Sequence, residues 1–346
     1  MKKGKGLLLV SLIMLICCVL SACGGEESSG ASSSSTDSSN EPLKVALILP
    51  GKIDDVSFNQ AMYEGMREVK KELGDQIEFA YTEEVYEVSD IEPALRDYAS
   101  EGYDLVIGHG FQFMEPIIKV AQEFPDTMFA LGTGYKTVSN SCVYDVQLQD
   151  GGYLMGTLAA MVTKTNKIGV VGGSDVSEIY RGHEAFKYAA KQVNPDVEIQ
   201  ELYTGDWNDV AKAKEGAISM YDSGVDIIWH SGDGIGLGVV QAAKEKDKIC
   251  LGNVSDQNVL APDNVLSGVV YDWAPIIKQM INDIQTNNFT NRDDKYYWIT
   301  VGNGGIQVAP FRGKYAEYVT DEVKAKLEEV QKGLADGTIA MPDFEQ

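Results

Sequence analysis

The sequence predicts an α/β protein with two similar lobes, each built on a parallel β-sheet. Apolar runs that suit buried strands alternate with helical patterns, beginning with KVALIL at 44–49. The pattern restarts with KIGVVGG at 167–173. From Lys44 to Asp104 is 60 positions and from Lys167 to Asp226 is 59, so one unit is used twice. Strands that alternate with helices in this way form parallel sheets through βαβ crossovers.

Each predicted element follows from a run of suitable length and pattern. In the first unit we predict strands at 44–49, 77–82 and 103–110, with helices at 58–73 and near 89–100. In the second unit we predict strands at 167–173, 197–205 and 225–232, with helices at 180–193 and 209–224. We expect the first lobe to comprise residues 44–137 plus 268–295, and the second 138–267 plus 296–346.

The N-terminus has the layout of a secretory signal. Three lysines precede an apolar run from Leu7 to Leu20, which is too short to span a bilayer comfortably. We therefore predict a signal peptide at 1–22. The run ends in LSAC, which resembles a bacterial lipobox and implies a diacylglycerol on Cys23. An ordinary signal peptide that ends near a cysteine is the alternative.

The segment after Cys23 suits a tether. Residues 23–43 are rich in serine and glycine and offer little to bury, so we predict a flexible linker there. No later stretch is long and apolar enough for a transmembrane helix. The expected location is the extracytoplasmic face of the cell membrane, where the lipid anchors the protein.

The net charge limits the possible binding partners, and the cysteine content limits the possible disulfides. Removing the signal peptide takes away three lysines and no acid, so the net charge of −23 becomes −26. Such a chain repels nucleic-acid phosphates, which excludes nucleic acid as a partner. Cys142 and Cys250 are the cysteines of the mature body. They could pair, although two buried free thiols are the interpretation we favour.

The predicted ligand site lies between the lobes. In open α/β sheets, ligands bind beyond the carboxyl ends of the strands. Short polar loops with glycines and aromatic residues follow the predicted strands at 50–59, 108–113, 132–135, 172–180, 204–209, 231–236 and 253–258. These loops contribute ligand candidates by position, namely Asp55, Ser57, Gly110, Phe111 and Gly232. Tyr271, directly after the apolar run at 265–270, is a further ligand candidate.

The first of these loops has two interpretations. Ser57 can be the N-cap of the helix that begins near Phe58, with Asp54 and Asp55 favouring the positive end of its dipole. The same groups can instead contact a ligand. Phe58 can likewise be a ligand platform or a side chain that packs on its own helix.

Several motifs resemble the BMP (basic membrane protein) family. They are IDDVSFNQAMYEG at 53–65, the GDWND loop, SGDGIGLG and the SDQ element, and the likeness extends from about Lys44 to Pro310. This family consists of substrate-binding lipoproteins of ABC importers and includes bacterial purine-nucleoside receptors. The resemblance implies a type I periplasmic-binding-protein fold, with two Rossmann-like lobes joined by three crossings. It also implies a small-molecule ligand and a partner complex of ABC permease and ATPase.

The resemblance assigns roles to four residues. In nucleoside-binding members the phenylalanine of SFN stacks on the base and its asparagine makes a polar contact, which corresponds to Phe58 and Asn59. An aromatic residue closes from the other lobe, here Trp207, and the aspartate of SDQ holds sugar hydroxyls, here Asp256. Two aromatic faces around a flat group each add about 0.5–1.5 kcal/mol beyond the burial of area. The resemblance thus implies a purine nucleoside or a related nucleobase compound as ligand.

Three positions depart from the nucleoside-binding pattern. Leu49 and Gly132 stand where aspartates are usual, and Tyr271 stands where a lysine or arginine is usual. These changes predict a more apolar pocket. A different aromatic or sugar-like ligand therefore remains an alternative, as does a lipoprotein that senses its ligand for signalling.

The sequence offers little that would make an enzyme. His109, His183 and His230 are far apart, and no metal-binding spacing is present. The glycines at 232, 234, 236 and 238 do not follow the G-x-G-x-x-G dinucleotide spacing. We therefore expect a non-catalytic binding protein without cofactor or metal, and a monomer.

Overall fold

Two six-stranded sheets form the framework of the structure, which is a computed structural model that describes residues 41–290 and 295–344. The strands are β1 (Leu43–Ile48), β2 (Ile77–Thr82), β3 (Leu105–Gly108), β4 (Met128–Gly132), β5 (Ser141–Val146), β6 (Lys167–Gly172), β7 (Glu198–Tyr203), β8 (Ile227–Ser231), β9 (Ile249–Gly252), β10 (Val265–Tyr271), β11 (Tyr296–Ile299) and β12 (Ile306–Val308). The predicted signal peptide, the lipidated Cys23 and the linker up to residue 40 lie outside the described residues.

Helices connect most of these strands and cover the sheets. They are α1 (Phe58–Leu73), α2 (Val88–Ser100), α3 (Met114–Glu123), α4 (Leu148–Val162), α5 (Ser177–Val193), α6 (Val210–Asp222), α7 (Gly234–Lys246), α8 (Ala274–Gln285) and α9 (Asp321–Ala335). Short 3₁₀ turns at Phe111–Phe113 and Gln257–Leu260 follow strands β3 and β9. Within the described ranges no helix has the length and apolarity needed to cross a membrane.

The two sheets have the same strand order, which confirms the predicted duplication. The first runs β11-β5-β4-β3-β1-β2 and the second β12-β10-β9-β8-β6-β7. Neighbouring strands are parallel throughout the first sheet. In the second sheet β12 at the edge is antiparallel to β10, and the other pairs are parallel. Two α/β lobes with a cleft between them are the type I periplasmic-binding-protein arrangement.

Sheet membership corrects the predicted lobe boundaries. The strand 141–146 pairs with β4 in the first sheet, although we placed residues after 137 in the second lobe. Strand 296–299 also pairs in the first sheet, whereas 265–271 pairs in the second. The chain therefore crosses between the lobes after β5, after β10 and after β11. Strand patterns carry no mark of the sheet they join, which is why the sequence placed these boundaries wrongly.

The core follows from the predicted patterns. Strand β1 is buried from Val45 to Ile48, as a strand covered on both faces should be. Helix α1 buries Met62, Met66 and Val69 at helical spacing against it. Both cysteines of the described ranges are buried: Cys142 lies in β5 of one sheet, and Cys250 is a free thiol in β9 of the other.

Candidate ligand-binding site between the lobes

The turn between β1 and α1 is held by Asp55. Its carboxylate accepts the backbone N–H groups of Ser57 at 2.8 Å, Asn59 at 3.1 Å and Gln60 at 3.0 Å, and the Asn59 side-chain amide at 2.7 Å. The Asn59 carbonyl oxygen in turn accepts the backbone N–H of Gly51 at 3.0 Å. Asp55 and Asn59 were both predicted to contact ligand, but here their polar atoms serve the turn.

Ser57 reaches the second lobe instead of capping its own helix. It stands at the N-cap position, yet its side chain makes no capping bond. Its hydroxyl donates to the Asp233 carboxylate at 2.6 Å, and the backbone N–H of Phe58 approaches the same oxygen at 3.4 Å. Asp233 lies between β8 and α7 of the second lobe. Ser57 is therefore the N-cap residue of α1 by position, as one of the two interpretations predicted, but its hydroxyl joins the lobes instead of capping the helix.

A second contact between the lobes is made at Val56. Its carbonyl accepts the Ser255 hydroxyl at 2.6 Å and the Gln257 amide at 3.4 Å. Val56 has φ 55° and Val254, beside Ser255, has φ 70°. A positive φ is costly for a β-branched residue, and such strain concentrates at functional sites. Both strained residues lie in the loops through which the lobes touch.

Phe58 stacks on His109 at the edge of the first sheet. The ring centroids are 3.7 Å apart with an interplanar angle of 17°, and Phe58 remains half-buried. His109 contacts the Phe58 carbonyl through Nε2 at 3.0 Å and the Tyr144 hydroxyl through Nδ1 at 2.7 Å. Burial lowers the pKa of His109 to about 3, so the ring is neutral. Because a carbonyl only accepts, Nε2 carries the proton and the Tyr144 hydroxyl donates to Nδ1.

Trp273 lies at the centre of these rings. It makes edge-to-face contacts with Phe58, His109, Tyr144 and Tyr271, at centroid distances of 6.2, 5.7, 5.4 and 5.9 Å respectively. Trp273 is fully buried at the second crossing between the lobes. We call Phe58, His109, Tyr144, Tyr271 and Trp273 the aromatic cluster.

Three acidic residues from separate elements lie along the same cleft. Asp145 is the penultimate residue of β5, Glu178 lies in the first turn of α5, and Asp233 precedes α7. The charges of Asp145 and Asp233 both act on Glu178, and all three act on the Tyr271 hydroxyl. Burial raises the pKa of each acid, that of Asp233 to about 6. We call Asp145, Glu178 and Asp233 the acidic cluster.

Arg181 is the cation beside this cluster. Its guanidinium lies 3.7 Å from the Asp145 carboxylate and 5.7 Å from the ring centroid of Trp298. Because Arg181 comes from α5 and Asp145 from β5, this ion pair also joins the two lobes. The cleft thus carries acidic side chains that the prediction of a more apolar pocket from Leu49, Gly132 and Tyr271 did not include.

The departures at 49 and 132 have structural causes. Leu49 is fully buried in the core below the site. A Cβ on Gly132 would lie 2.8 Å from both the Gly110 nitrogen and the Tyr144 hydroxyl oxygen, so any side chain is too large there. The hydroxyl of Tyr144, which binds His109, occupies this space.

The other candidate residues are spread around the cleft loops. Trp207 is half-buried and lies on the backbone of Gly173, where its ring leaves no room for a Cβ. Gly232 packs against the same loop, and its Cβ would lie 3.4 Å from the Gly173 nitrogen. Gly110 has φ 135° at the start of the 3₁₀ turn, and Phe111 in that turn is 60% exposed. Tyr271 is buried, and its hydroxyl accepts the Asn253 amide at 3.4 Å.

Asp256 serves its own loop in this structure. One carboxylate oxygen accepts the backbone N–H of Asn258 at 3.2 Å, and the other pairs with the Arg312 guanidinium. The residue therefore caps the 3₁₀ turn and ties it to the C-terminal segment. Its predicted contact with ligand hydroxyls stays a prediction that requires the Arg312 pair to be shared or broken.

Sequence reasoning missed part of the site. Asp145, Glu178 and Arg181 were not predicted as site residues. Asp233 lies in the predicted loop 231–236, but it was given no role. Asp233 does follow the apolar strand β8, and that position was an available signal, whereas Asp145 lies within β5. In the two described ranges no group of three or more His, Cys, Asp or Glu side chains has an arrangement that could hold a metal ion.

Comparison with known proteins decides the family. Residues 43–341 match the family model described as ABC transporter substrate-binding protein PnrA-like. The chain belongs to this Bmp family. It is therefore a non-enzymatic solute-binding protein of the ABC transporter type, as the resemblance implied.

Similar proteins align with this chain over most of its length. A purine-binding protein of Brucella abortus is 30% identical over 301 residues, covering 87% of this chain and 83% of its own length. A nucleoside-binding protein of an ABC transporter from Lactococcus lactis is 28% identical, covering 87% and 89%. A solved ABC-transporter solute-binding protein from Conexibacter woesei superposes with TM-score 0.73 at 27% identity, covering 88% and 100%.

Proposed function

We propose that this Bmp-family protein is anchored by a lipid on Cys23 to the extracytoplasmic face of the cell membrane. There it delivers a purine nucleoside or related nucleobase compound to an ABC permease and ATPase. The ligand lies between the lobes and stacks on Phe58. The observation that carries this proposal is the half-buried Phe58 ring, which His109 holds in place beside loops of the opposite lobe.

Geometry at Phe58 explains how such a site works. Stacking on His109 covers one face of the ring, and the bond from His109 to the Phe58 carbonyl fixes the backbone. A ring that is already ordered loses little entropy when a flat ligand stacks on its remaining surface. Trp207 belongs to the second lobe and can approach that ligand as the lobes close.

The contacts between the lobes explain how a ligand can favour the closed form. The Ser57–Asp233 and Ser255–Val56 bonds exist only when the lobes meet. A ligand that touches both lobes adds further contacts to this closed form and so shifts the equilibrium toward it. Closure around the ligand is the signal that a permease can recognise.

Ligand identity is tested by a thermal-shift screen of the purified protein with nucleosides, purine and pyrimidine bases, pentoses and hexoses. A ligand at a hundredfold excess over its Kd adds about 2.7 kcal/mol to apparent stability. We expect a purine nucleoside to raise the Tm and Phe58→Ala to abolish the shift. Phe79→Ala is the matched control. Phe79 on β2 is also half-buried, but its ring packs against Tyr63 of α1 and Tyr81 of β2. If no nucleoside or base raises the Tm, the ligand assignment is contradicted.

Anchoring is tested separately by cell fractionation. The wild-type protein is expected in the membrane fraction, and Cys23→Ala is expected to release it. Cys250→Ala is the control, since that thiol is buried in β9 and cannot anchor the chain. A Cys23→Ala protein that stays with the membrane contradicts the lipid anchor.

A further inference from the structure

The acidic cluster is poorly neutralised by its own surroundings. Asp233 accepts the Ser57 hydroxyl at 2.6 Å, and Asp145 has Arg181 at 3.7 Å. Among the described residues, no donor forms a hydrogen bond to the Glu178 carboxylate. Arg181 contacts Asp145 and lies three residues after Glu178 on the same face of α5, and the like charges of Asp145 and Asp233 both oppose ionisation of Glu178.

A buried amide beside the cluster has an acceptor without a partner. Asn253 is only 2% exposed, and its Oδ1 atom has no hydrogen-bond donor. Its Nδ2 atom donates to the Tyr271 hydroxyl, which lies within the field of all three carboxylates. A buried acceptor without a donor costs about 1–3 kcal/mol. The amide is therefore an independent sign that a donor from elsewhere completes this region.

All of these groups favour a ligand that donates hydrogen bonds. Carboxylates and an amide oxygen accept hydrogen bonds, and carboxylates attract positive charge. Arg181, the cation of the region, is already engaged by Asp145 and lies over the Trp298 ring. An anionic group placed here would meet carboxylates at short range, which discriminates against it strongly.

We propose that the acidic cluster and Asn253 form a subsite for a positively charged nitrogen group of the ligand, with Glu178 as the residue that determines charge specificity. This inference rests on the proposed function, because it assumes that the ligand lies in the cleft between the lobes. The ligand class becomes a neutral-to-cationic, amino-bearing compound. Nucleotides, sugar phosphates and carboxylates are excluded.

Two charge series on different scaffolds test this subsite by isothermal titration calorimetry. One comprises 5′-amino-5′-deoxyadenosine, adenosine and adenosine 5′-monophosphate. The other comprises glucosamine, glucose and glucose 6-phosphate. For the wild-type protein we expect the amine to bind about tenfold more tightly than the neutral compound, and the phosphate to bind most weakly. Glu178→Gln keeps the shape of the side chain and should remove most of the preference for the amine.

Glu198→Gln is the matched control. Glu198 pairs with Lys167 at the surface and lies outside the cluster, so its replacement should leave the order of affinities unchanged. Thermal unfolding of each variant shows that the fold is retained.

Each outcome separates this subsite from the proposed function. Wild-type protein that binds adenosine as tightly as its amine, or a Glu178→Gln variant with an unchanged preference, overturns the subsite while the nucleoside function stands. Preference for glucosamine without any nucleoside binding keeps the subsite and removes the nucleoside. If none of the six compounds binds, both the subsite and the proposed function are overturned.

Discussion

The aromatic cluster and the acidic cluster face the same cleft, but they differ in how far their own side chains satisfy them. In the aromatic cluster the rings cover one another and His109 uses both ring nitrogens, although the buried indole N–H of Trp273 has no hydrogen-bond partner. In the acidic cluster Asp145 and Asp233 both oppose the ionisation of Glu178, and the ion pair of Arg181 goes to Asp145. The first therefore stabilises the fold without ligand, whereas the second carries unfavourable charge that a ligand can relieve.

Trp273→Ala should have the largest effect on stability. Removing this fully buried ring leaves a cavity at the centre of the aromatic cluster, and the free energy of unfolding should fall by about 3–5 kcal/mol. Urea denaturation measures the change. Trp298→Ala, at a half-buried ring on β11, should cost less, and Glu178→Gln should cost little or nothing. Equal losses at Trp273 and Glu178 would erase the distinction between the clusters.

Acidification should affect the two clusters with opposite signs. An unfolded histidine binds a proton below about pH 6.5, whereas His109 resists protonation until about pH 3, so the stability from its neutral form is lost as the pH falls from 6.5. Asp233 has a pKa of about 6 in the fold and about 3.9 when unfolded, so between these values stability falls as the pH rises.

Two variants separate these contributions. His109→Gln should flatten the loss of stability between pH 6 and 4, and Asp233→Asn should steepen it, each by up to about 1.4 kcal/mol per pH unit. His109 faces the Tyr144 hydroxyl and the Phe58 carbonyl, while Asp233 faces Ser57 and the charges of Asp55 and Glu178. Denaturation at pH 4.5, 5.5 and 6.5 measures both slopes. Changes of the same sign would contradict the assignment.

Tyr144→Phe should have an intermediate effect. It removes the hydroxyl that donates to His109 and leaves a buried ring nitrogen without a partner, which costs about 1–3 kcal/mol in unfolding free energy. Tyr98→Phe is the control, because its hydroxyl bonds to Thr82 at a partly exposed position where water can substitute. A Tyr144→Phe variant no less stable than the control would show that the aromatic cluster does not depend on this bond.

Ser57→Ala should have the smallest effect and should act on closure. Losing the bond to Asp233 weakens the closed form by about 1 kcal/mol, which shifts the ratio of closed to open molecules about fivefold. Small-angle X-ray scattering of the unliganded protein should show a larger radius of gyration. Ser89→Ala, at an exposed serine of α2, should leave it unchanged. Identical scattering from both variants would exclude Ser57 as a link that holds the lobes together.

Local structure could be predicted because local patterns encode it. Helix α1 at 58–73 and strand β2 at 77–82 have the predicted bounds, since apolar periodicity and Gly74 mark their limits. Lobe boundaries could not be predicted, because β5 and β11 join the first sheet through pairing that the sequence does not mark.

The site was predictable only where a motif carried it. Phe58 was found through SFN, although the roles of Asp55 and Asn59 emerge only from their bonds within the turn. Asp145, Glu178 and Asp233 come from three separate elements and have no characteristic spacing. The predicted cleft loops contain Glu178 and Asp233, but their cluster exists only after both lobes fold and meet, so these positions could not show that the two acids lie near Asp145.

A crystal structure of the protein with the best ligand from the thermal-shift screen tests the central claim most directly. We predict a flat ligand group stacked on Phe58 between the lobes, with a nitrogen group within hydrogen-bonding distance of Glu178 or Asp233. Ligand density elsewhere contradicts the claim, for instance in the surface groove of about 670 Å³ lined by Tyr153, Met161 and Lys326. Density in the cleft with an anionic group against Glu178 would contradict the charge assignment alone.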